Sequence, residues 1–272
     1  MRIPSLRRLL AVVAVAVLIV TGAVSAQAQT KETGDPKPTV VLVHGAFADA
    51  SGFNGVISRL QKAGFPVIAP ANPLRDTAGD AAYISSILDT LPGPVILAAH
   101  SYGGIVTTNA ARGHANVKAL VYLGAFAPDE GESALQLAQQ FPGSELGSAL
   151  IQRPYPPLPD GRPTIDGYID PAKFRAVFAA DLPSSQTRLM AATQRPGSVN
   201  GLAGPSGAPA WKTIPSWYLI PTGDKVIPPA AQRFMAKRAG SKVTEIKSSH
   251  VVMISHPDAA TAVILKAYAA TR

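Results

Sequence analysis

Ser101 sits in the stretch Val95-Ile96-Leu97-Ala98-Ala99-His100-Ser101-Tyr102-Gly103-Gly104, where an apolar run meets a serine flanked by small residues. A helix-like segment follows. A serine at such a strand-to-helix corner is forced into a strained backbone and points its hydroxyl out of the end of the sheet. The pattern reads A-x-S-x-G, with Ala99 where a glycine usually stands. Strand and helix pass within contact distance at the corner, so the position demands a small side chain, and alanine is the next smallest. This is the setting of a nucleophile for acyl transfer.

A serine hydroxyl needs a general base within hydrogen-bond reach, and the base needs an acid to hold its tautomer. The chain offers five histidines. His250, in Lys247-Ser248-Ser249-His250-Val251-Val252, falls just past the last predicted strand. That places it in a loop on the same rim as Ser101. His256 precedes Pro257 and starts the final helix. His44 and His100 sit beside turns and read as structural, and His114 reads as a surface residue. The acid is sought after the penultimate strand, where Pro221-Thr222-Gly223-Asp224-Lys225 supplies Asp224. Asp129, in the loop after the preceding strand, is the rival acid. A tetrahedral oxyanion needs two preorganised N–H donors. Tyr102, directly after the serine, supplies one. The other is expected from His44-Gly45-Ala46-Phe47, with Ala46 first and Phe47 second.

The elements that must carry these residues alternate. The apolar run at 39–43 reads as a buried parallel strand, and 67–69, 95–99, 117–123, 217–220 and 243–246 read as further strands. Helical spacing marks 53–60, 83–91, 103–112, 228–239 and 258–269 between or after them. This alternation predicts an α/β fold, a mostly parallel sheet with helices on both faces. The stretch 128–212 breaks the pattern. It holds 12 of the 25 prolines and has poor apolar periodicity, so it reads as a cap inserted over the carboxyl edge of the sheet. Its aromatics Phe141, Tyr155, Tyr168, Phe174, Phe178 and Trp211 are candidate pocket liners.

The chain opens with Arg2, Arg7 and Arg8, an apolar run from Leu9 to Val20, and Val24-Ser25-Ala26-Gln27-Ala28. These are the three regions of a secretory signal peptide, with cleavage expected after Ala26 or Ala28. The apolar core is short for a spanning helix. Residues 29–272 then form a single exported domain, in the periplasm or the medium, with no stable membrane partner after cleavage. The leader's three arginines account for three of the eight net positive charges. The basic residues Arg233, Lys237, Arg238, Lys242 and Lys247 read as solvated faces, and no aromatics interleave with them as nucleic-acid binding would require. With no cysteine there is no disulfide and no thiol nucleophile. No histidine–carboxylate cluster has metal-ligand spacing and no Gly-rich dinucleotide fingerprint opens the first helix, so neither metal nor cofactor is expected.

Val41-Leu42-Val43-His44-Gly45-Ala46-Phe47, Ala99-His100-Ser101-Tyr102-Gly103-Gly104, Thr222-Gly223-Asp224 and Ser249-His250 together resemble the α/β-hydrolase superfamily, over about 38–270. The order Ser101, Asp224, His250 matches the order of its triad. The chain is most similar to small bacterial hydrolases related to the plant methylesterase and hydroxynitrile lyase branch, and Ala125-Phe126-Ala127-Pro128-Asp129-Glu130-Gly131-Glu132-Ser133 shares that likeness. The lyase branch usually has a lysine after its histidine, and Val251 stands there instead. Serine at the elbow also departs from dehalogenases and epoxide hydrolases, which carry aspartate. The resemblance and the residues imply an exported serine hydrolase that cleaves a small apolar carboxylic ester. Lyase or perhydrolase use of the same triad, or a non-catalytic ligand-binding protein, are the alternatives.

Overall fold

The six expected strands form one parallel sheet. The computed structural model of the protein describes residues 36–157 and 164–272. The leader expected at 1–28 lies outside the described residues. In chain order the sheet strands are β1 (Thr39–Val43), β2 (Val67–Ile68), β3 (Val95–Ser101) and β4 (Val117–Ala125). The insert contributes β5 (Leu150–Tyr155), β6 (Thr164–Ile169) and β7 (Gly197–Ser198), and the main sheet ends with β8 (Ser216–Pro221) and β9 (Lys242–Ile246). The main sheet runs β2-β1-β3-β4-β8-β9, every neighbouring pair parallel. All seven residues of β3 are buried, as a central strand covered on both faces requires. β1 pairs with β2 on one side and β3 on the other, in register Val43 to Ala99. The strand order therefore reverses between β1 and β3, and the loops leaving their carboxyl ends diverge over a crevice.

Helices α1 (Asn54–Lys62), α2 (Thr77–Asp89) and α3 (Gly103–Ala110) follow the first three strands. The insert holds α4 (Ala134–Gln140), α5 (Leu146–Ala149), α6 (Pro171–Phe178), α7 (Ser184–Thr193) and α8 (Val199–Ala203), and the chain closes with α9 (Pro229–Arg238), α10 (Val252–Ser255) and α11 (Pro257–Ala270). α1 packs on α11 and α2 on α3, and α3 and α11 both lie against the central strands. Local signals set their ends. Asp76 caps α2 by accepting from the Gly79 amide at 2.7 Å. Gly64, at φ +77°, ends α1.

The insert is more regular than its poor periodicity suggests. Its elements are short and start on strong local signals. Ser133 caps α4, and Asp170 caps α6 with Pro171 in its first turn. Strands β5, β6 and β7 form an antiparallel sheet of their own. Backbone bonds tie the insert to the loops after β1, β2 and β8: Phe47 N–H to Arg195 O, Ser198 N–H to Leu74 O, and Glu145 N–H to Lys225 O.

The base of α3 is packed to the limit. A Cβ on Gly103 would stand 2.4 Å from the Val43 carbonyl oxygen, and one on Gly104 only 2.1 Å from that of Phe126. Both obstacles are backbone. Gly104→Ala is expected to destabilise the fold by about 1–3 kcal/mol through overpacking. Gly147→Ala, where a Cβ meets nothing within 4 Å, serves as control. Thermal unfolding of the two variants checks this, and equal midpoints would refute it.

Candidate active site

The corner predicted at Ser101 is present and strained. Ser101 is the last residue of β3 and has φ +55°, a left-handed backbone rarely taken by a non-glycine residue. The loop after β1 is pressed directly onto it. A Cβ on Gly45 would lie 2.6 Å from the Ser101 Cβ and 2.9 Å from the Tyr102 nitrogen. The absence of a side chain at 45 is what lets this loop reach the corner.

His250 and Asp224 meet as the spacing suggested. His250 Nδ1 lies 2.7 Å from Asp224 Oδ2, and both side chains are fully buried. The carboxylate is saturated. Oδ1 accepts from the amides of Val226 and Ile227 at 2.7 and 2.9 Å, and Oδ2 also accepts from Gln232 Nε2 at 2.8 Å. Val226, Ile227 and Gln232 already donate to its two oxygens, so the group acts as an acceptor and His250 donates from Nδ1. That tautomer leaves a lone pair on Nε2, which is buried and has no hydrogen-bond partner. Asp129 lies elsewhere. It pairs with Lys212 at 2.7 Å, partly exposed, and its carboxyl is held below the usual range first by that bond.

His100, the residue before Ser101, links the two loops. Its Nε2–H donates to the His250 carbonyl at 2.9 Å, and the two rings are 4.6 Å apart. Burial, and then the neighbouring His250, push its pKa well down, so it stays neutral. His44 is also buried and neutral, its pKa lowered first by burial. Its Nε2 accepts from the Asn72 amide at 3.0 Å, so Nδ1–H donates to the Gly45 carbonyl at 2.9 Å. Both histidines hold backbone, as expected. His114 differs from its surface reading: it is partly buried, with Nε2 2.7 Å from Ser85 Oγ. Arg238 likewise is no solvated charge. It forks onto Glu132 and stands over the Phe234 and Trp211 rings.

Of the expected oxyanion donors, Phe47 is committed. It has φ +63°, and its amide donates to Arg195 O at 2.8 Å. The amides of Ala46 and Tyr102 have no partner among the described residues. The Tyr102 side chain is anchored behind the site, its hydroxyl donating to Asp80 at 2.9 Å. Asp80 is 1% exposed and burial raises its pKa.

Two of the six aromatic candidates reach this place. Phe178 lies with its ring 5.1 Å from that of His250 and 6.1 Å from Phe47, and Phe174 packs behind it at 5.0 Å. Phe141 pairs with Phe234, while Tyr155 and Tyr168 stack under Arg75 and Arg153. Trp211 donates to the Pro128 carbonyl at 2.8 Å. Gln232 reaches Asp224 from eight residues further along, inside α9, while Asp80 and Phe178 come from distant segments, and no motif announces any of them. Among the described residues no group of three or more histidine or acidic side chains is placed to hold a metal ion. No helix among them is long and apolar enough to cross a membrane.

Residues 40–263 match the sequence profile of the alpha/beta hydrolase family. A carbendazim hydrolyzing esterase from Nocardioides is 33% identical over 127 residues, 41% of this chain and 51% of that protein, so the chain spans about half the length of this relative. A pyrethroid hydrolase from Sphingobium wenxiniae is 27% identical across 80% of this chain and 83% of its own length. The crystal structure of a methylesterase from Arabidopsis superposes with a TM-score of 0.69 at 21% identity, covering 85% of this chain and 99% of that one. With its profile match running from β1 into α11 and its parallel sheet reversing at the serine corner, the chain belongs to the alpha/beta hydrolase family.

Proposed function

We propose that the protein is a serine hydrolase of carboxylic esters, with Ser101 as nucleophile, His250 as general base and Asp224 as its acid. The observation that carries this reading is the buried His250–Asp224 pair at 2.7 Å, whose free Nε2 lone pair accompanies a serine held at φ +55°. Ser101 Oγ attacks the ester carbonyl and its proton passes to Nε2. The imidazolium so formed is stabilised by Asp224. The negative oxygen of the tetrahedral intermediate is met by the amides of Ala46 and Tyr102. Collapse expels the alkoxide, which leaves as the alcohol with the proton from Nε2. Water then adds to the acyl-enzyme, giving its proton to Nε2, and the acid departs as Ser101 regains its hydrogen.

The esterase and hydrolase names of the relatives support this chemistry. The apolar ring of Phe178 over His250 favours a small apolar ester. Segment 128–212 acts as the cap in this reading. The segment from Met1 to Ala26 or Ala28 is the cleaved leader, so the enzyme works in the periplasm or the medium, and N-terminal sequencing of exported protein checks this.

A fluorophosphonate probe tests the nucleophile. The label is expected on the peptide containing Ser101, with loss of short p-nitrophenyl ester turnover in step with labelling. A label on another residue, with turnover intact, would overturn the assignment. Tight ester binding without turnover would favour a binding protein, and cyanohydrin cleavage would favour a lyase.

A further inference from the structure

The turn between α6 and α7 of the insert carries Asp181, and its carboxylate faces the loop of His250. Oδ2 accepts from the Ser249 amide at 2.9 Å and from Ser248 Oγ at 3.0 Å, while Oδ1 accepts from Ser249 Oγ at 2.5 Å. Partial burial pushes this carboxyl up, yet the hydrogen bonds from Ser249, Ser255 and Ser248 prevail and hold it below the usual range. Ser249 directly precedes His250. Three residues before Asp181, Phe178 lies against the His250 ring at 5.1 Å. One short stretch, 178–181, thus touches the imidazole and grips the chain that carries it.

Besides the bond of the His250 ring to Asp224, two anchors of this loop come from the sheet side, and they hold carbonyls. Gly223 N–H donates to Ser248 O at 2.9 Å, and His100 Nε2–H donates to His250 O at 2.9 Å. The Ser249 amide and hydroxyl are turned the other way and end on Asp181. His250 stands four residues beyond β9, outside any strand pairing. Its angle toward Ser101 therefore depends on both sets of anchors.

We infer that Asp181 is a positioning residue, through which the insert aligns His250 for proton transfer. This rests on the reading of His250 as general base. Seating of the insert and alignment of the base are then one event. Proton transfer is sensitive to such alignment, since a displacement of about 1 Å costs on the order of 10²-fold in rate.

The test uses the purified full chain and five variants: Asp181→Ala, Asp181→Asn, Ser249→Ala, the double Asp181→Ala/Ser249→Ala, and Ser101→Ala as the reference for the nucleophile. Fluorophosphonate labelling to completion counts competent Ser101, and kcat and KM are measured on p-nitrophenyl acetate. Asp181→Ala is expected to lower kcat per labelled serine by about 10- to 100-fold with little change in KM. Asp181→Asn keeps an acceptor for the Ser249 amide and should fall between it and the parent. The double variant should be no slower than Asp181→Ala alone, because both changes break the same contact. A merely structural role would lower the melting temperature and the number of labelled sites but leave kcat per site unchanged. That result, or multiplying effects in the double variant, would overturn the inference. Should Ser101→Ala keep its activity, the underlying reading fails as well. An inactive Ser101→Ala beside an Asp181→Ala with parental kcat per site would sink the positioning role alone.

Discussion

Ser101→Ala is expected to lower kcat/KM for short p-nitrophenyl esters by about 10⁴- to 10⁶-fold while the protein stays folded. The hydroxyl is the atom that bonds to the acyl carbon, so no neighbour can replace it. The Cβ that packs against Gly45 remains in alanine, and the corner keeps its shape. His250→Ala should cost about as much, and the double variant little more, because nucleophile and base act as a unit. Steady-state kinetics with melting curves on all three proteins check this. Activity within tenfold of the parent in a folded Ser101→Ala protein would exclude the serine mechanism.

The second large effect is expected at Asp224. Asp224→Asn should lower kcat by about 10⁴-fold. The reason lies in the four donors that converge on this carboxylate. An amide offers one acceptor oxygen and a donor NH₂. If the oxygen stays with the Val226 and Ile227 amides, the NH₂ faces His250. The ring must then accept at Nδ1 and carry its proton on Nε2, where a base needs a lone pair. If the amide turns over, two buried backbone donors lose their acceptor, at about 1–3 kcal/mol each. Asp129→Asn disturbs a partly exposed pair with Lys212 and should leave activity unchanged and stability within about 1 kcal/mol. An inactive Asp129→Asn beside an active Asp224→Asn would reverse the choice of acid.

The framework was legible because it is written locally. Buried parallel strands are continuous apolar runs, and β1, β3, β4 and β8 each announce themselves this way. Ser101, Asp224 and His250 stand out because each lies at or just past the end of an expected strand, where a parallel sheet gathers its loops. The insert was legible as an interruption, through its prolines, but its internal strands and helices were not. They are short, and β7 meets β6 only across about 30 residues. The same reason hides the supports of the site. Gln232 reaches Asp224 from inside α9, Asp181 reaches Ser249 across 68 residues, and Tyr102 finds Asp80 on α2. Nothing about a glutamine or an aspartate in isolation signals a distant partner. Phe47 illustrates the opposite limit. Its residue type gives no hint of φ +63°, which follows from the insert taking its amide.

The left-handed backbone of Ser101 has a consequence for how this protein can change. A side chain held there costs about 1–2 kcal/mol relative to an ordinary conformation, and glycine would escape that cost entirely. Selection for heat tolerance alone would therefore drift toward glycine at 101, and selection for turnover would resist it. The position is a built-in conflict between durability and reactivity. Stabilising changes remote from the site are free of that conflict, and an engineered line gains robustness there without touching the hydroxyl.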